Sequence, residues 1–188
     1  NTIASTLRAI EVGATAAEVD VRTTRDGHLV LSHDAALDHA TDGTGLINDK
    51  TLAEIKRLDA GRKFAPQFFD ERMPTLPEVV THCRDKIDVL LDLKEEGEAY
   101  VRRVVEEVEK RGEPRRTIVG VRSLEQAKMC RELLPQARQI GLIAKPDEIE
   151  AYAQAGVAMI RLWPNWLTDA SLVEINPFLL TKDSRLIA

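Results

Sequence analysis

The stretch 17-AEVDVRTTRDGHLVLSHD-34 is the part of this chain that decides how it is expected to fold. Asp26-Gly27 is a strong hairpin signal between two runs of β-forming residues, so the stretch predicts two antiparallel strands. Side chains alternate along a strand, and Glu18 and Asp20 therefore share one face. A two-residue loop at Asp26-Gly27 would place Asp20 directly opposite His33 on that face.

Two carboxylates beside an imidazole suit a hard divalent cation with an acid or base next to it. The alternative is that Glu18 and Asp20 belong to a solvated polar face, because a Glu-x-Asp pattern in a strand is common. The flanking apolar residues favour the functional interpretation, since they make both strands strong β formers. The sequence therefore predicts a candidate cation site on this hairpin.

Helix and strand patterns alternate along the rest of the chain. Amphipathic spacing and three S/T-x-x-E/Q motifs predict helices at 3–12, 51–58, 75–84 and 123–134, and apolar spacing predicts others at 99–111, 146–154 and 168–175. Buried strands are predicted at 88–94, 117–121, 140–144 and 159–163. This alternation favours a parallel α/β sheet, although periodicity alone does not choose a barrel over an open sheet. No glycine-rich loop follows a strand, which disfavours a nucleotide-binding doubly wound fold.

The composition is that of one globular domain. The chain has 188 residues, of which 44% are apolar, and a formal net charge of -5. This charge argues against general binding to nucleic acid or a membrane surface, but not against a local site for one phosphate. Cys83 and Cys130 are too few for a disulfide framework and are expected to be buried free thiols. The sequence has no apolar stretch long enough for stable membrane insertion, and the protein is expected to be soluble, cytoplasmic or exported.

Several short motifs occur in a characteristic order along the first half of the chain. They are Asn1-Thr2, Glu18 with Asp20, Asp26-Gly27, His33-Asp34, Asp42-Gly43-Thr44-Gly45, Leu58-Asp59-Ala60-Gly61, and Pro74-Thr75-Leu76 with Glu78. In this order they resemble the glycerophosphodiester phosphodiesterase family. The resemblance is strong from residue 1 to about 94 and looser to about 167.

The resemblance implies a TIM (β/α)8-type barrel formed by residues 1–188 as a single catalytic domain. The family opens with a strand that ends in His-Arg-Gly, and no such segment stands before Asn1-Thr2. Barrels of this type have about 250 residues, and the stretch after about Glu174 fits the family poorly. We therefore expect the first strand, and some residues near the C-terminal end, to be absent from this sequence.

The resemblance also implies roles for individual residues. Glu18, Asp20 and Asp92 match the metal ligands, although the family carries glutamate where this chain has Asp92. Lys94 lies two residues after Asp92, on the same strand face, and matches a phosphate-binding lysine. His33 matches one of two histidines that transfer protons, the other being in the His-Arg-Gly motif. The alternatives are a salt bridge for Asp92 and a surface position for Lys94.

Trp163 is expected to line the mouth of the cleft and to pack on the alcohol group of the substrate; the alternative is packing beneath a helix. The implied activity is metal-dependent hydrolysis of a small-molecule glycerophosphodiester to sn-glycerol 3-phosphate and an alcohol. Mg²⁺ and Ca²⁺ both suit the ligands, and the nucleophile is either water or the 2-hydroxyl of the substrate. Two alternatives remain: a sphingomyelinase D-like phospholipase, and a catalytically inactive barrel that binds a ligand. The sequence does not determine the oligomeric state.

Overall fold

The structure, a computed structural model, describes residues 1–166 and 185–187. The helices are α1 Ile3–Glu11, α2 Leu52–Ile55, α3 Leu76–Cys83, α4 Glu98–Arg111, α5 Leu124–Leu133 and α6 Ile149–Gln154. The strands are β1 Ala16–Thr23, β2 Leu29–Leu31, β3 Asp88–Leu93, β4 Thr117–Val121, β5 Arg138–Gly141, β6 Met159–Arg161 and β7 Arg185–Ile187. The helix predicted at 168–175 lies outside the described residues. None of the described helices is long and apolar enough to cross a membrane.

The seven strands form one sheet in the order β2-β1-β3-β4-β5-β6-β7. Only the β1–β2 pair is antiparallel, and every other pair is parallel. From β1 to β6, successive parallel strands are joined through helices, as the alternating pattern of the sequence predicts. All five residues of β4 are buried, which is typical of a parallel strand that is covered on both faces.

Reciprocal capping boxes begin two of the helices at the predicted positions. The Thr51 and Thr75 hydroxyls accept the backbone N–H of Glu54 and Glu78, whose carboxylates accept the threonine backbone N–H in return. The Ser123 hydroxyl likewise accepts the backbone N–H of Gln126 at the start of α5. The Gln126 side chain, however, accepts the backbone N–H of Arg122 and not that of Ser123. These caps fix the point at which each helix leaves its preceding loop, and they were readable from the sequence.

The two faces of the sheet have different apolar coverings. One face packs against the helices, and its contacts include four valines of α4 at helical spacing: Val101, Val104, Val105 and Val108. The opposite face carries a smaller apolar cluster, made of Ile118, Ile140, Leu142 and Met159 with Leu90 against it. Asp92 lies two residues after Leu90 on β3 and so shares its face. Asp20 lies beside Asp92 on the neighbouring strand β1. The carboxylates therefore belong to the face that does not pack against the helices.

The hairpin register differs from the predicted one by a single residue. β1 and β2 pair Thr23 with Leu29 and Val21 with Leu31, and the backbone N–H of Ser32 donates to the Asp20 carbonyl at 3.0 Å. Asp20 therefore lies opposite Ser32. The prediction that it faces His33 is wrong.

The loop itself explains this shift. Thr24 N–H donates to the His28 carbonyl at 2.9 Å, which leaves a three-residue loop with Gly27 at a φ of 84°. The Thr24 hydroxyl accepts the His28 N–H and donates to the Asp26 carboxylate. A left-handed glycine at the third position is typical of three-residue hairpin loops. The Asp-Gly signal correctly located the turn but not its length.

Candidate active site

Three carboxylates meet on one face of the adjacent strands β1 and β3. Asp20 pairs with Asp92 in the parallel register of these strands, and Glu18 is two residues earlier on the same face as Asp20. One oxygen from each of Glu18, Asp20 and Asp92 lies within 4.8 Å of the others. Asp20 and Asp92 are buried, whereas Glu18 is exposed. The sequence predicted this convergence, and the structure brings all three together.

Asp20 is held from two sides by polar groups. Asn1 donates from Nδ2 to Asp20 Oδ2 at 2.6 Å, and its Oδ1 accepts the Asp20 backbone N–H at 2.8 Å. Lys94 Nζ lies 2.9 Å from Asp20 Oδ1 and 2.5 Å from Asp92 Oδ2, and the lysine side chain is only 11% exposed. Lys94 is therefore a largely enclosed cation shared by two carboxylates, which excludes the alternative of a surface lysine.

The charges of the site shift the pKa values of two carboxyls in opposite directions. Burial opposes the ionisation of Asp20, yet the contacts from Lys94 and Asn1 outweigh it, and the pKa of Asp20 lies below its ordinary value. Desolvation, together with the negative charges of Asp20 and Asp92, raises the pKa of Glu18 above its ordinary value. The positive charge of Lys94 therefore offsets only part of the repulsion that Asp20 and Asp92 exert on Glu18.

The donor set fits a divalent cation. All three groups are carboxylates, the ligands that Mg²⁺ and Ca²⁺ prefer. Asp20 Oδ1 contacts Lys94 Nζ at 2.9 Å, and a carboxylate oxygen has two lone pairs, so the same oxygen can also face a cation. A cation at this point would also relieve the repulsion that raises the pKa of Glu18. Glu18, Asp20 and Asp92 are the residues that would hold it.

Arg122 is a site residue that the sequence reasoning missed. It directly follows β4, and its guanidinium donates to both oxygens of Asp92 at 2.7 to 3.1 Å. Gly120 pairs with Asp92 in the β3–β4 register, so a side chain two residues after Gly120 emerges on the face of Asp92. Examining the residue after each predicted strand would have found Arg122.

His33 stands apart from the carboxylates. Its side chain is 74% exposed, and its Nδ1 contacts Asp34 Oδ1 at 2.8 Å. Arg22 holds the backbone of this segment by donating to the carbonyls of Ser32 and His33. The imidazole is still near enough for its charge to contribute to the lowered pKa of Asp20. Its role in proton transfer stays a prediction.

Trp163 lies just after β6, at the same edge of the sheet as the carboxylates. The tryptophan is half-buried, and its indole N–H donates to the carbonyl of Ile143 at 3.0 Å. The guanidinium carbon of Arg161 lies 4.1 Å from the centre of the Trp163 ring. These contacts fix the ring at the edge where a cleft mouth would be, and its contact with substrate stays a prediction.

Comparison with known proteins identifies the family. The model of the glycerophosphoryl diester phosphodiesterase family matches residues 1–174. The chain belongs to this family. A glycerophosphodiester phosphodiesterase of Caldanaerobacter subterraneus subsp. tengcongensis is 51% identical over 94 residues, which cover 50% of this chain and 38% of the relative. Glycerophosphodiester phosphodiesterase 1 of Mus musculus is 40% identical over 97 residues, covering 50% of this chain and 29% of the relative.

Solved structures of phosphodiesterases support the same fold. A glycerophosphodiester phosphodiesterase from Agrobacterium tumefaciens is 27% identical, with a TM-score of 0.70 over 100% of this chain and 88% of that one. A phosphodiesterase from Oleispira antarctica, solved with the product sn-glycerol-3-phosphate, has a TM-score of 0.82 at 22% identity, over 99% of this chain and 76% of that one. The predicted TIM-barrel-like α/β fold of this family is thereby confirmed. The matched segments span less than half the length of the two curated relatives.

Proposed function

We propose that this protein hydrolyses glycerophosphodiesters to sn-glycerol 3-phosphate and an alcohol, and that it needs a divalent cation to do so. The observation that carries the proposal is the convergence of Glu18, Asp20 and Asp92 within 4.8 Å beside the largely enclosed cation Lys94. Membership of the family supports it. The relatives named as phosphodiesterases and the product complex of the Oleispira antarctica enzyme add further support.

Each part of the site has a distinct task in this proposal. When bound by the three carboxylates, Mg²⁺ or Ca²⁺ would supply positive charge to the phosphate oxygens. Lys94 stabilises the negative charge that develops on the phosphate as the bond to the alcohol breaks. Burial fixes this ammonium group in place, and fixed charges stabilise a transition state better than mobile ones do.

His33 is the proposed proton carrier. The bond from phosphorus to the alcohol oxygen breaks, the alcohol takes up a proton, and the attacking oxygen, from water or the substrate's 2-hydroxyl, loses one. Histidine suits this exchange because its ordinary pKa lies near neutral pH. The exposed position of His33, 74% accessible beside Asp34, leaves the imidazole open to a bound substrate. Trp163 would contact the alcohol group.

The experiment measures release of glycerol 3-phosphate from glycerophosphocholine and glycerophosphoethanolamine, with and without a chelator. We expect metal-dependent release by the wild-type protein. His33→Ala should reduce kcat by about 10²- to 10⁴-fold, the usual contribution of a general acid or base. His82→Ala is the matched control, because His82 lies on α3 and its ring forms a hydrogen bond with the backbone carbonyl of Glu78 on the same helix.

Release that is insensitive to the chelator would refute the metal-dependent mechanism. Equal loss in the His33→Ala and His82→Ala variants would refute the role of His33. Cation binding without release from either diester would refute the proposed hydrolysis and favour the inactive, ligand-binding alternative. Preferential cleavage of a sphingolipid headgroup would favour the sphingomyelinase D-like alternative.

A further inference from the structure

The Arg122–Asp92 pair is the best-aligned ion pair of the candidate site. Arg122 Nε lies 3.1 Å from Asp92 Oδ1, and Nη2 lies 2.9 Å from Oδ1 and 2.7 Å from Oδ2. The Asp92 side chain is 6% exposed, whereas that of Arg122 is 39% exposed. The pair therefore joins a buried carboxylate to a guanidinium that is open to solvent.

The backbone of Arg122 is held by a hydrogen bond, whereas its guanidinium is accessible to solvent. Its backbone N–H donates to Gln126 Oε1 at 2.8 Å, and Gln126 Nε2 donates to the Glu95 carbonyl at 3.1 Å. Gln126 is buried and lies in the first turn of α5. This link holds the start of the arginine side chain at the carboxyl end of β4. Among the described residues, the guanidinium itself forms hydrogen bonds only with Asp92.

Both oxygens of Asp92 are already occupied. Arg122 binds both of them, and Lys94 Nζ also lies 2.5 Å from Oδ2. Asp92 can join Glu18 and Asp20 as a cation ligand only if it gives up part of its contact with Arg122. A guanidinium released in this way would face the same site with its donors free, and its planar fork matches phosphate as well as carboxylate.

We propose that Arg122 is a phosphate-binding residue that exchanges Asp92 for the phosphate of the substrate when Asp92 turns to a divalent cation. This inference rests on the proposed function, because it assigns the ligand of Arg122 to the phosphodiester of that reaction. Lys94 does not serve as the exchanging group, because it is enclosed between Asp20 and Asp92 at 11% exposure. Arg122 is the accessible one of the two cations that touch Asp92.

The exchange makes two opposite predictions for one substitution. Arg122→Met removes the competitor for Asp92 and a repelling positive charge, so Mg²⁺ and Ca²⁺ should bind about 3- to 10-fold more tightly. The same variant lacks the phosphate fork, so sn-glycerol 3-phosphate should bind the cation-loaded protein about 10- to 100-fold more weakly. Arg122→Lys keeps the positive charge but loses the paired N–H donors of the guanidinium. Its affinity for sn-glycerol 3-phosphate should therefore lie between those of the wild type and Arg122→Met.

Isothermal titration calorimetry of each cation, and then of sn-glycerol 3-phosphate, measures both effects without any turnover. Arg116→Met is the control, because Arg116 also pairs with an aspartate of β3, through one hydrogen bond to Asp88 at the opposite end of the strand. It should leave both affinities unchanged. Circular dichroism confirms that each variant is folded, and Arg122→Lys provides the test if Arg122→Met is not.

Two results would overturn the inference. Weaker cation binding by folded Arg122 variants would show that Arg122 only supports the position of Asp92. Unchanged affinity for sn-glycerol 3-phosphate would show that it does not bind phosphate. Failure of the proposed function looks different, because the wild-type protein would then bind the cation and sn-glycerol 3-phosphate yet release no product from the diesters.

Discussion

Asp20 is the residue on which the contacts of the site converge. Its backbone N–H and one carboxylate oxygen are held by Asn1, its other oxygen lies beside Lys94, and its strand position pairs it with Asp92. The lowered pKa of Asp20 shows that these contacts outweigh burial in favouring the ionised form. A carboxylate kept ionised in a partly buried site is ready to bind a cation at any pH near neutrality.

Replacement of Asp20 by asparagine should therefore remove the cation site. Asp20→Asn keeps the volume of the side chain but loses its charge, and cation affinity should fall by more than about 100-fold, since even outer partners of a metal ligand contribute 10- to 100-fold. Calorimetry with Mg²⁺ and Ca²⁺ measures the loss. Asp88→Asn is the control, because Asp88 lies at the opposite end of β3 and pairs with Arg116 and Arg138. Equal cation binding by the two variants would contradict the assignment.

The surroundings of Glu18 favour its protonated form, in contrast to those of Asp20, and this predicts an effect on stability. Its pKa is raised by desolvation and by Asp20 and Asp92, so ionisation of Glu18 destabilises the folded state as the pH rises above about 4.3, the ordinary value for glutamate. In the presence of a chelator at pH 7, Glu18→Gln should raise Tm by about 1–3 °C. Near pH 4 and below, where Glu18 is increasingly protonated in both states, the difference should vanish.

Addition of the cation should reverse the order of the two Tm values, those of the wild type and of Glu18→Gln. A ligand that binds only the folded state stabilises it in proportion to the logarithm of its concentration over Kd, and the Glu18→Gln variant lacks one of the three proposed cation-binding carboxylates. The wild-type Tm should therefore exceed that of the variant at saturating Mg²⁺ or Ca²⁺. A variant that is less stable than the wild type in chelator would show that Glu18 is not under electrostatic strain.

Among the elements of the fold, the β1–β2 hairpin has the most direct effect on the site, because its register determines where His33 emerges. Gly27 has a φ of 84°, a left-handed conformation that alanine resists and asparagine tolerates. Gly27→Ala should lower the free energy of unfolding by about 1 kcal/mol, and Gly27→Asn should lower it by less. Urea denaturation of both variants tests this. Equal effects would argue against the three-residue loop.

The loop around Asp59 provides a prediction on pH. The Asp59 carboxylate accepts backbone N–H groups of Gly61, Arg62 and Asp70, and these hydrogen bonds lower its pKa to about 2. A depressed pKa means that its stabilising effect is complete above the unfolded value near 3.9 and is lost as the pH falls through about 2. The Asp59 side chain of this motif therefore stabilises the backbone of the loop that follows it.

Asp59→Asn should accordingly lower Tm at pH 7, because the amide group replaces one of the two acceptor oxygens. The difference from the wild type should be constant above about pH 5 and should shrink between about pH 4 and pH 2. Thermal unfolding followed by circular dichroism at a series of pH values measures it. Asp147→Asn, at an exposed position, is the control and should change Tm little at any pH. A difference that grows on acidification would contradict the assigned hydrogen bonds.

For the whole molecule, the two thiols report on the integrity of the core between sheet and helices. Cys83 and Cys130 are buried there, and burial raises the pKa of Cys83 to about 11 and that of Cys130 to about 12. A thiolate is the reactive form, so the native protein should resist a thiol-specific reagent. Labelling should follow the rate of global unfolding and reach both thiols in denaturant. Rapid labelling in native buffer would show that this core opens locally.

The sequence predicted the parts of this molecule that depend on local chemistry. Capping boxes at Thr51 and Thr75, and the placement of Glu18 and Asp20 on one strand face, depend on sequence neighbours or on simple strand geometry. The addition of Asp92 to this pair came from the family resemblance, because the pairing of β1 with β3 that brings it close is not local. The sequence did not predict the hairpin register, because loop length depends on how Thr24 bonds across the turn. Nor did it reveal Arg122, whose partner is 30 residues away and is brought near only by the pairing of β3 with β4.

The manner in which Arg22 holds the segment after β2 has a consequence for protein engineering. Its guanidinium binds the carbonyl oxygens of Ser32 and His33, so the backbone at position 33 is anchored whatever side chain that position carries. A library of all amino acids at position 33 should therefore sample different reactive groups from one fixed attachment point. Position 33 is therefore a place where one side chain can be exchanged for another while the backbone of the hairpin stays unchanged.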